Sequence, residues 1–260
     1  MFTTLGNRHQ MLSIGINYVQ SKTSKLEGCW NDVHELKRQV FPNVPTSEHI
    51  ILTDEHVNLG TRQWPTRDNI FAAIATFTSR MVANKTYVFH YSGHGGQLPN
   101  RDPQSVDPEP DGLDECLFDA NEQIIVDDEL KRHLIKRVPA GARLFCLIDA
   151  CHSSTSMDLR DGEGQSFIAC ISGCRDNQTS ADTTWKKKPS GALTGLFIEM
   201  LTAPDCESFL RHTTFKQLVG NLDVGLNKRG YDQVPELTTN HDELICNTII
   251  GLWLLPLMSN

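Results

Sequence analysis

Short apolar runs alternate with amphipathic stretches along most of the chain, a pattern that predicts strands separated by helices. A first strand at 11–16 is followed by 31–40, where Val33, Leu36 and Val40 recur at helical spacing behind Asn31 as a cap. Residues 50–52 read as a strand. The next helix takes Thr66 as its cap and Ile70, Phe71, Ile74, Phe77 and Met81 as its apolar face. Residues 86–91 predict a strand, 93–96 a turn, and 97–114, rich in Pro, Asp and Asn, a long loop. Segments 115–119 and 124–126 predict a hairpin, 128–137 a helix, and 143–149 (RLFCLID) a strand buried on both faces.

After a polar loop at 153–165, the pattern gives a strand at 167–172, helices at 191–201 and 215–222, and a strand at 233–238. The stretch 244–257 is apolar but broken by Asn247, Thr248 and Pro256. It is shorter than the ~20 apolar residues of a membrane span, so it predicts a buried strand or core segment. Strands alternating with helices imply an α/β fold with a mainly parallel central sheet, flanked by helices on both faces.

Composition narrows the function. The 260 residues suffice for a proper core, and 39% hydrophobic with 22% charged residues is ordinary globular usage. A net charge of -8 argues against non-specific nucleic-acid binding and suits cations or basic substrates. Residues 1–10 hold no apolar run of signal-peptide length, which predicts a cytoplasmic protein without a membrane anchor. The eight cysteines form no C-x-x-C pair, so reduced thiols, mostly small core residues, are expected.

The chemistry sits at two strand ends. Segment 86–91 runs into Ser92-Gly93-His94-Gly95-Gly96, and 143–149 into Ala150-Cys151-His152-Ser153. In open α/β sheets the carboxyl ends of strands form the binding crevice, so His94 and Cys151 would meet at one edge. A thiol with an ordinary pKa near 8.5 needs such an imidazole to become a ready nucleophile and to protonate a leaving amine. The glycines flanking His94 let a substrate backbone approach, and their amides, Gly95 among them, could hold an oxyanion with that of Cys151. A structural cysteine after a buried strand is the rival reading, with His152 as a competing base. Neighbours on an extended chain point to opposite faces, which ranks His152 below His94.

These residues resemble the paired His and Cys motifs of metacaspases, cysteine peptidases of the caspase-like clan: Tyr91-Ser92-Gly93-His94-Gly95-Gly96-Gln97 and Asp149-Ala150-Cys151-His152-Ser153. The likeness continues in Gly15-Ile16-Asn17-Tyr18, Gly28-Cys29-Trp30-Asn31-Asp32-Val33, Asp111-Gly112-Leu113-Asp114-Glu115 and Ile125-Val126-Asp127-Asp128-Glu129. It ends in Ile171-Ser172-Gly173-Cys174, Gln178-Thr179-Ser180-Ala181-Asp182 and Gln233-Val234-Pro235. The resemblance implies a caspase-hemoglobinase fold, with a large catalytic part at 1–160 and a small part at 161–260 making one compact domain. It also implies cleavage after Arg or Lys by a Cys–His dyad, with Asp32, Ser92 and Asp149 lining the pocket. Two carboxylates in a partly desolvated slot would pair with a guanidinium or ammonium and repel an acidic side chain. By themselves, Asp32 and Asp149 read equally well as a helix cap and a structural strand-end acid.

Acidic residues cluster in the middle of the chain. Asp107 to Gly112 superficially suggests an EF-hand, but the last ligand position holds Phe118, which rules it out. The resemblance instead matches Asp111, Asp127, Asp128 and Asp158 to the family's set for an activating Ca2+. Binding there could fix the loop after Cys151. Cys29 matches a second cysteine of the family and reads more simply as a buried structural thiol.

Almost no chain precedes the first strand, so a proline-rich leader is not expected, and the short link between the two parts departs from relatives with a long insert. Arg160, Arg175 and the lysines at 186–188 are candidate self-cleavage points in polar loops. Partners are protein or peptide substrates with a basic residue before the cut, with no nucleic acid or membrane, and the family implies a monomer. A catalytically silent caspase-like scaffold, or a calcium-responsive binding protein, is the alternative function.

Overall fold

The computed structural model describes residues 10–99, 113–150, 157, 159, 161–174, 183–185 and 188–258. In chain order the elements are β1 (Met11–Gly15), α1 (Cys29–Glu35), β2 (His49–Thr53), α2 (Arg67–Thr78), β3 (Thr86–Ser92), β4 (Gly95–Pro99), β5 (Leu113–Phe118), β6 (Ile124–Val126), α3 (Asp127–His133) and β7 (Arg143–Asp149). Then come β8 (Phe167–Cys174), β9 (Thr183–Trp185), β10 (Lys188–Ser190), α4 (Ala192–Leu201), α5 (Cys206–His212), α6 (Phe215–Asn227), β11 (Val234–Thr239), α7 (Asp242–Cys246) and α8 (Gly251–Met258).

Six strands form the central sheet in the order β11-β8-β7-β3-β1-β2. All neighbours are parallel except β11, which runs antiparallel to β8. Every residue of β3 is buried, and so is every residue of β7 after Arg143, as expected of strands covered on both faces. One face carries α2 and α3, packing Ile70, Ile74, Phe77, Leu130 and Leu134 on Ile14, Phe89, Leu144 and Ile148. The other carries α4, α6 and α8, packing Leu193, Phe197, Leu222 and Leu254 on Val88, Phe145, Leu147 and Ile171. The α/β class, the parallel sheet and the two helical layers therefore stand as the sequence predicts.

The differences are local and have local causes. Asn31 lies inside α1 and does not cap it. The N–H of Cys29 is taken instead by Asn17 Oδ1 at 3.0 Å, so the side chain that satisfies this helix start comes from the exit of β1. The helical pattern to Val40 is real, but past Glu35 it widens into a π turn at Leu36–Val40. Thr66 does cap α2, accepting from Asn69 N–H. The proposed loop at 97–114 begins and ends as strand, because β4 continues from Gly95 and β5 starts at Leu113; residues 100–112 lie outside the described ones. At the chain's end, 244–257 is the core segment expected, but it is built from the end of α7 and most of α8 and not from a strand. Consecutive leucines and Trp253 masked the period there, yet Trp253, Leu254 and Leu257 share one buried side.

Candidate active site

The segment carrying His94 leaves β3 at the carboxyl end of the sheet and is tied down by two fully buried tyrosines. The N–H of His94 donates to Tyr18 Oη at 2.8 Å. Tyr91 Oη lies 2.9 Å from the carbonyl of His94 and 2.8 Å from that of Phe118, and 3.1 Å from Tyr18 Oη. Burial holds both phenols well above their usual pKa, so they act as neutral hydrogen-bonding pegs. Tyr18 adopts a left-handed backbone (φ 53°), an uncommon state for a bulky residue that the surrounding bonds must hold. Gly93 passes so close that a Cβ there would lie 2.7 Å from Tyr91 Oη and 3.0 Å from Tyr18 Oη. Any side chain at that position would push the turn off its pegs.

The imidazole of His94 is also oriented. Its Nε2 lies 2.7 Å from the carbonyl oxygen of Ser24, which can only accept, so Nε2 carries a proton. Nδ1 is then the basic atom of the neutral ring. The ring packs on Tyr18, with centroids 4.5 Å apart, and lines a cavity of about 410 Å³ with Ser24, Gly95, Phe118 and Glu122. Phe118 N–H donates to the His94 carbonyl, and Gly95 stands opposite Leu117 in the antiparallel β4–β5 pair. Hydrogen-bonded and non-bonded pairs alternate in such a ladder, which turns the amide of Gly95 away from β5.

A second feature lies beside this turn. Asp32, on the first turn of α1, is fully buried and accepts from Ser92 Oγ at 2.6 Å, from Ser190 Oγ, and from Gly191 N–H at 3.0 Å. Asp149, 8% exposed at the end of β7, accepts from Thr194 N–H at 2.8 Å and from Gln233 Nε2 at 3.1 Å. Both carboxylates close on Gly191, where an added Cβ would overlap Asp149 Oδ2 and lie 2.9 Å from Asp32 Oδ2. Burial first, and the Asp149 carboxylate second, push Asp32 up to about 7. Among the described residues neither acid has a Lys, Arg or His ion-pair partner. The structure thus brings together Asp32, Ser92 and Asp149, and sets aside the reading of Asp32 as a mere helix cap.

Of the other predicted residues, Asp127 and Asp128 open α3 side by side. Asp127 is buried and accepts from the N–H of Glu115 at 3.2 Å and of Asp128 at 2.7 Å. Cys151, His152, Asp111 and Asp158 lie outside the described residues, as do Arg160 and Arg175. No group of three or more His, Cys, Asp or Glu side chains poised for a metal occurs among the described residues. Cys29, Cys116, Cys146 and Cys170 are buried and in no disulfide, as core cysteines should be. Nor is any described helix long and apolar enough to cross a membrane. Sequence reasoning missed Ser24, Thr194 and Ser190, which act through backbone groups or a lone hydroxyl and leave no spaced signature.

Comparison with known proteins adds independent findings. A family model described as metacaspase, peptidase C14 domain, matches residues 9–160. Metacaspase-1 of Yarrowia lipolytica is 30% identical over 305 aligned positions, covering 92% of this chain and 63% of that protein. Metacaspase-2 of Trypanosoma brucei brucei is 31% identical, covering 90% and 74%. This chain therefore spans less than two thirds of the Yarrowia protein. A crystal structure of a Geobacter sulfurreducens protein superposes with a TM-score of 0.65 at 21% identity, covering 93% of this chain and 97% of that one, and supports the fold.

Proposed function

Because the chain belongs to the metacaspase family of caspase-like cysteine peptidases, we propose that it is an endopeptidase cleaving after Arg or Lys through Cys151 and His94. One observation carries the specificity: two buried carboxylates, Asp32 and Asp149, meet at Gly191 with no cation among the described residues. Buried charges are costly unless paired, and a guanidinium or ammonium from a substrate would supply the missing partner. An acidic side chain would add a third negative group to the same space.

In this reading His94 Nδ1 takes the proton of Cys151, whose sulfur attacks the carbonyl carbon after the basic residue. The amides of Gly95 and Cys151 hold the oxygen as it gains charge. The collapsing intermediate expels the amine, which takes the proton back from His94. Water, deprotonated by the same imidazole, then cleaves the thioester and frees the second product. The Ser24 carbonyl keeps the ring in the tautomer that both steps require.

Asp127 and Asp128 would hold an activating Ca2+ together with Asp111 and Asp158. Hard carboxylate oxygens suit this ion, and the two described residues are adjacent at the start of α3. When bound, the ion would offset the mutual repulsion of these carboxylates, and its four ligands would then help fix the segment that carries Asp158. Self-cleavage at Arg160, Arg175 or the lysines at 186–188, and action as a cytoplasmic monomer, belong to the same proposal.

The deciding experiment is hydrolysis of matched reporter peptides ending in Arg, Lys or Asp, with calcium or chelator, beside Cys151→Ala. Activity on the basic peptides only, lost in the variant, is expected. Undiminished turnover by Cys151→Ala would overturn the assignment, and binding of substrates without turnover by the wild type would favour the scaffold.

A further inference from the structure

Four polar side chains occupy the carboxyl end of the sheet on the face that α1 and α4 cover: Asp32, Ser92, Asp149 and Gln233. The first three form the acidic site; the fourth comes from the turn before β11 and is 2% exposed. Its Nε2 donates to Asp149 Oδ1, which can only accept, so the other amide atom is the carbonyl oxygen. That oxygen, Oε1, is buried and has no donor among the described residues. A buried acceptor left without a donor is costly, so a ligand that brings an N–H gains there.

The backbone makes room for this amide. A Cβ at Gly173, which follows Ser172 in β8, would overlap Gln233 Nε2. Gly173 therefore leaves open the space in which the amide lies flat against the strand and reaches Asp149. Two residues far apart in sequence, Gly173 and Gln233, serve one arrangement.

We propose that Gln233 is a further specificity-determining residue of this site, its Oε1 accepting an N–H of a substrate guanidinium and so favouring Arg over Lys. The inference rests on the reading of Asp32 and Asp149 as the basic-residue pocket. A guanidinium presents five N–H groups in a rigid planar fork, whereas an ammonium presents three from one point. Two carboxylates satisfy an ammonium. A third acceptor beside Asp149 is useful only to the fork, which has N–H groups left over. Ser190 Oγ and Gly191 N–H, which now donate to Asp32, stand where part of that cation's hydrogen bonding would be.

The test compares kcat/KM for matched Arg- and Lys-ended peptides in the wild type, Gln233→Met and Gln233→Glu. Arginine amide and lysine amide binding is measured calorimetrically in the Cys151→Ala background. Gln233→Met keeps the volume and removes both amide groups; the Arg-to-Lys ratio should fall about tenfold, mostly through KM, since a hydrogen bond to a charged group is lost. Gln233→Glu retains the acceptor and should keep the preference for Arg, which leaves the test standing if the Met variant does not fold. Equal losses on both peptides would reduce Gln233 to a support for Asp149 and overturn the proposal, as would a lost Arg preference in Gln233→Glu. If the wild type cleaves neither peptide, the peptidase reading fails by itself. The amide-binding arm still decides this inference, because arginine amide must bind better than lysine amide and lose that advantage in Cys151→Ala/Gln233→Met.

Discussion

Tyr18 Oη accepts the backbone N–H of His94 at 2.8 Å, linking the exit of β1 to the turn that carries the proposed general base. Tyr18→Phe removes that acceptor and with it a part-buried hydrogen bond, at a cost of about 0.5–1.5 kcal/mol. We expect a lower Tm and a kcat reduced about tenfold on an Arg-ended reporter, with KM little changed. The proposed substrate pocket does not include Tyr18, so a KM effect as large as the kcat effect would count against this role.

The buried acids and histidines give opposite pH dependences. Asp32 titrates at about 7 in the fold, above an unfolded carboxyl near ~4, so the native state holds the extra proton between those values. Its contribution to stability is present below pH ~4 and lost as pH rises through about 7. Burial pushes His49 and His90 down to about 3, below an unfolded imidazole near ~6.5. Their contribution is present above pH ~6.5 and lost as pH falls. Two histidines outweigh one carboxyl, so urea unfolding should show these groups raising stability from pH 3 to about 6.5, followed by a shallow decline. Asp32→Asn should abolish the decline and His90→Gln should flatten the rise. KM for Arg peptides should also drop between pH 6 and 8 as Asp32 ionises, and not in Asp32→Asn.

Two glycines make a paired steric test. At Gly191 an added methyl meets both carboxylates, so Gly191→Ala should cost about 1–3 kcal/mol, as other overpacked sites do, and raise KM sharply. Gly220 is exposed in the middle of α6, with nothing within 4 Å of a new Cβ. There Ala should stabilise by about 0.4–1 kcal/mol through the unfolded chain. Thermal melts of both variants check the pair.

Calcium should raise the Tm of the wild type by mass action, and chelator should lower activity on the Arg reporter. Asp127→Ala should lose the calcium response and also destabilise the chelated protein by about 1–3 kcal/mol, because the Glu115 N–H loses its buried acceptor. A calcium response that survives in Asp127→Ala would remove that residue from the proposed ligand set.

Much of this was legible in the sequence because the relevant signals are local. The run Arg143–Asp149 announced a central strand with its true limits, and Thr66 announced the start of α2. Asp32, Ser92 and Asp149 were expected together and meet in space. What could not be read depends on partners far along the chain. Asn17 satisfies the start of α1 in place of Asn31, and the Ser24 carbonyl orients His94, although neither contact has a composition or a spacing. Gln233 was visible only as part of Gln233-Val234-Pro235, because its reach to Asp149 exists only once β11 lies against β8. The apolar tail misled for a different reason: where nearly every residue is hydrophobic, helix and strand periods look alike.

The hydrogen bonds to Asp149 bear on how the chain may be divided. A fragment ending at residue 160 would keep Asp32 and Asp149, the acids of the proposed pocket, yet lack Thr194 and Gln233, the two donors that hold the second one still. Nicking the chain between β7 and β8 can leave those bonds in place, since the two strands pair along their length. Separating the halves cannot. The leading portion made by itself should therefore be a poor receptor for cationic peptides, and adding the trailing portion in trans should restore it.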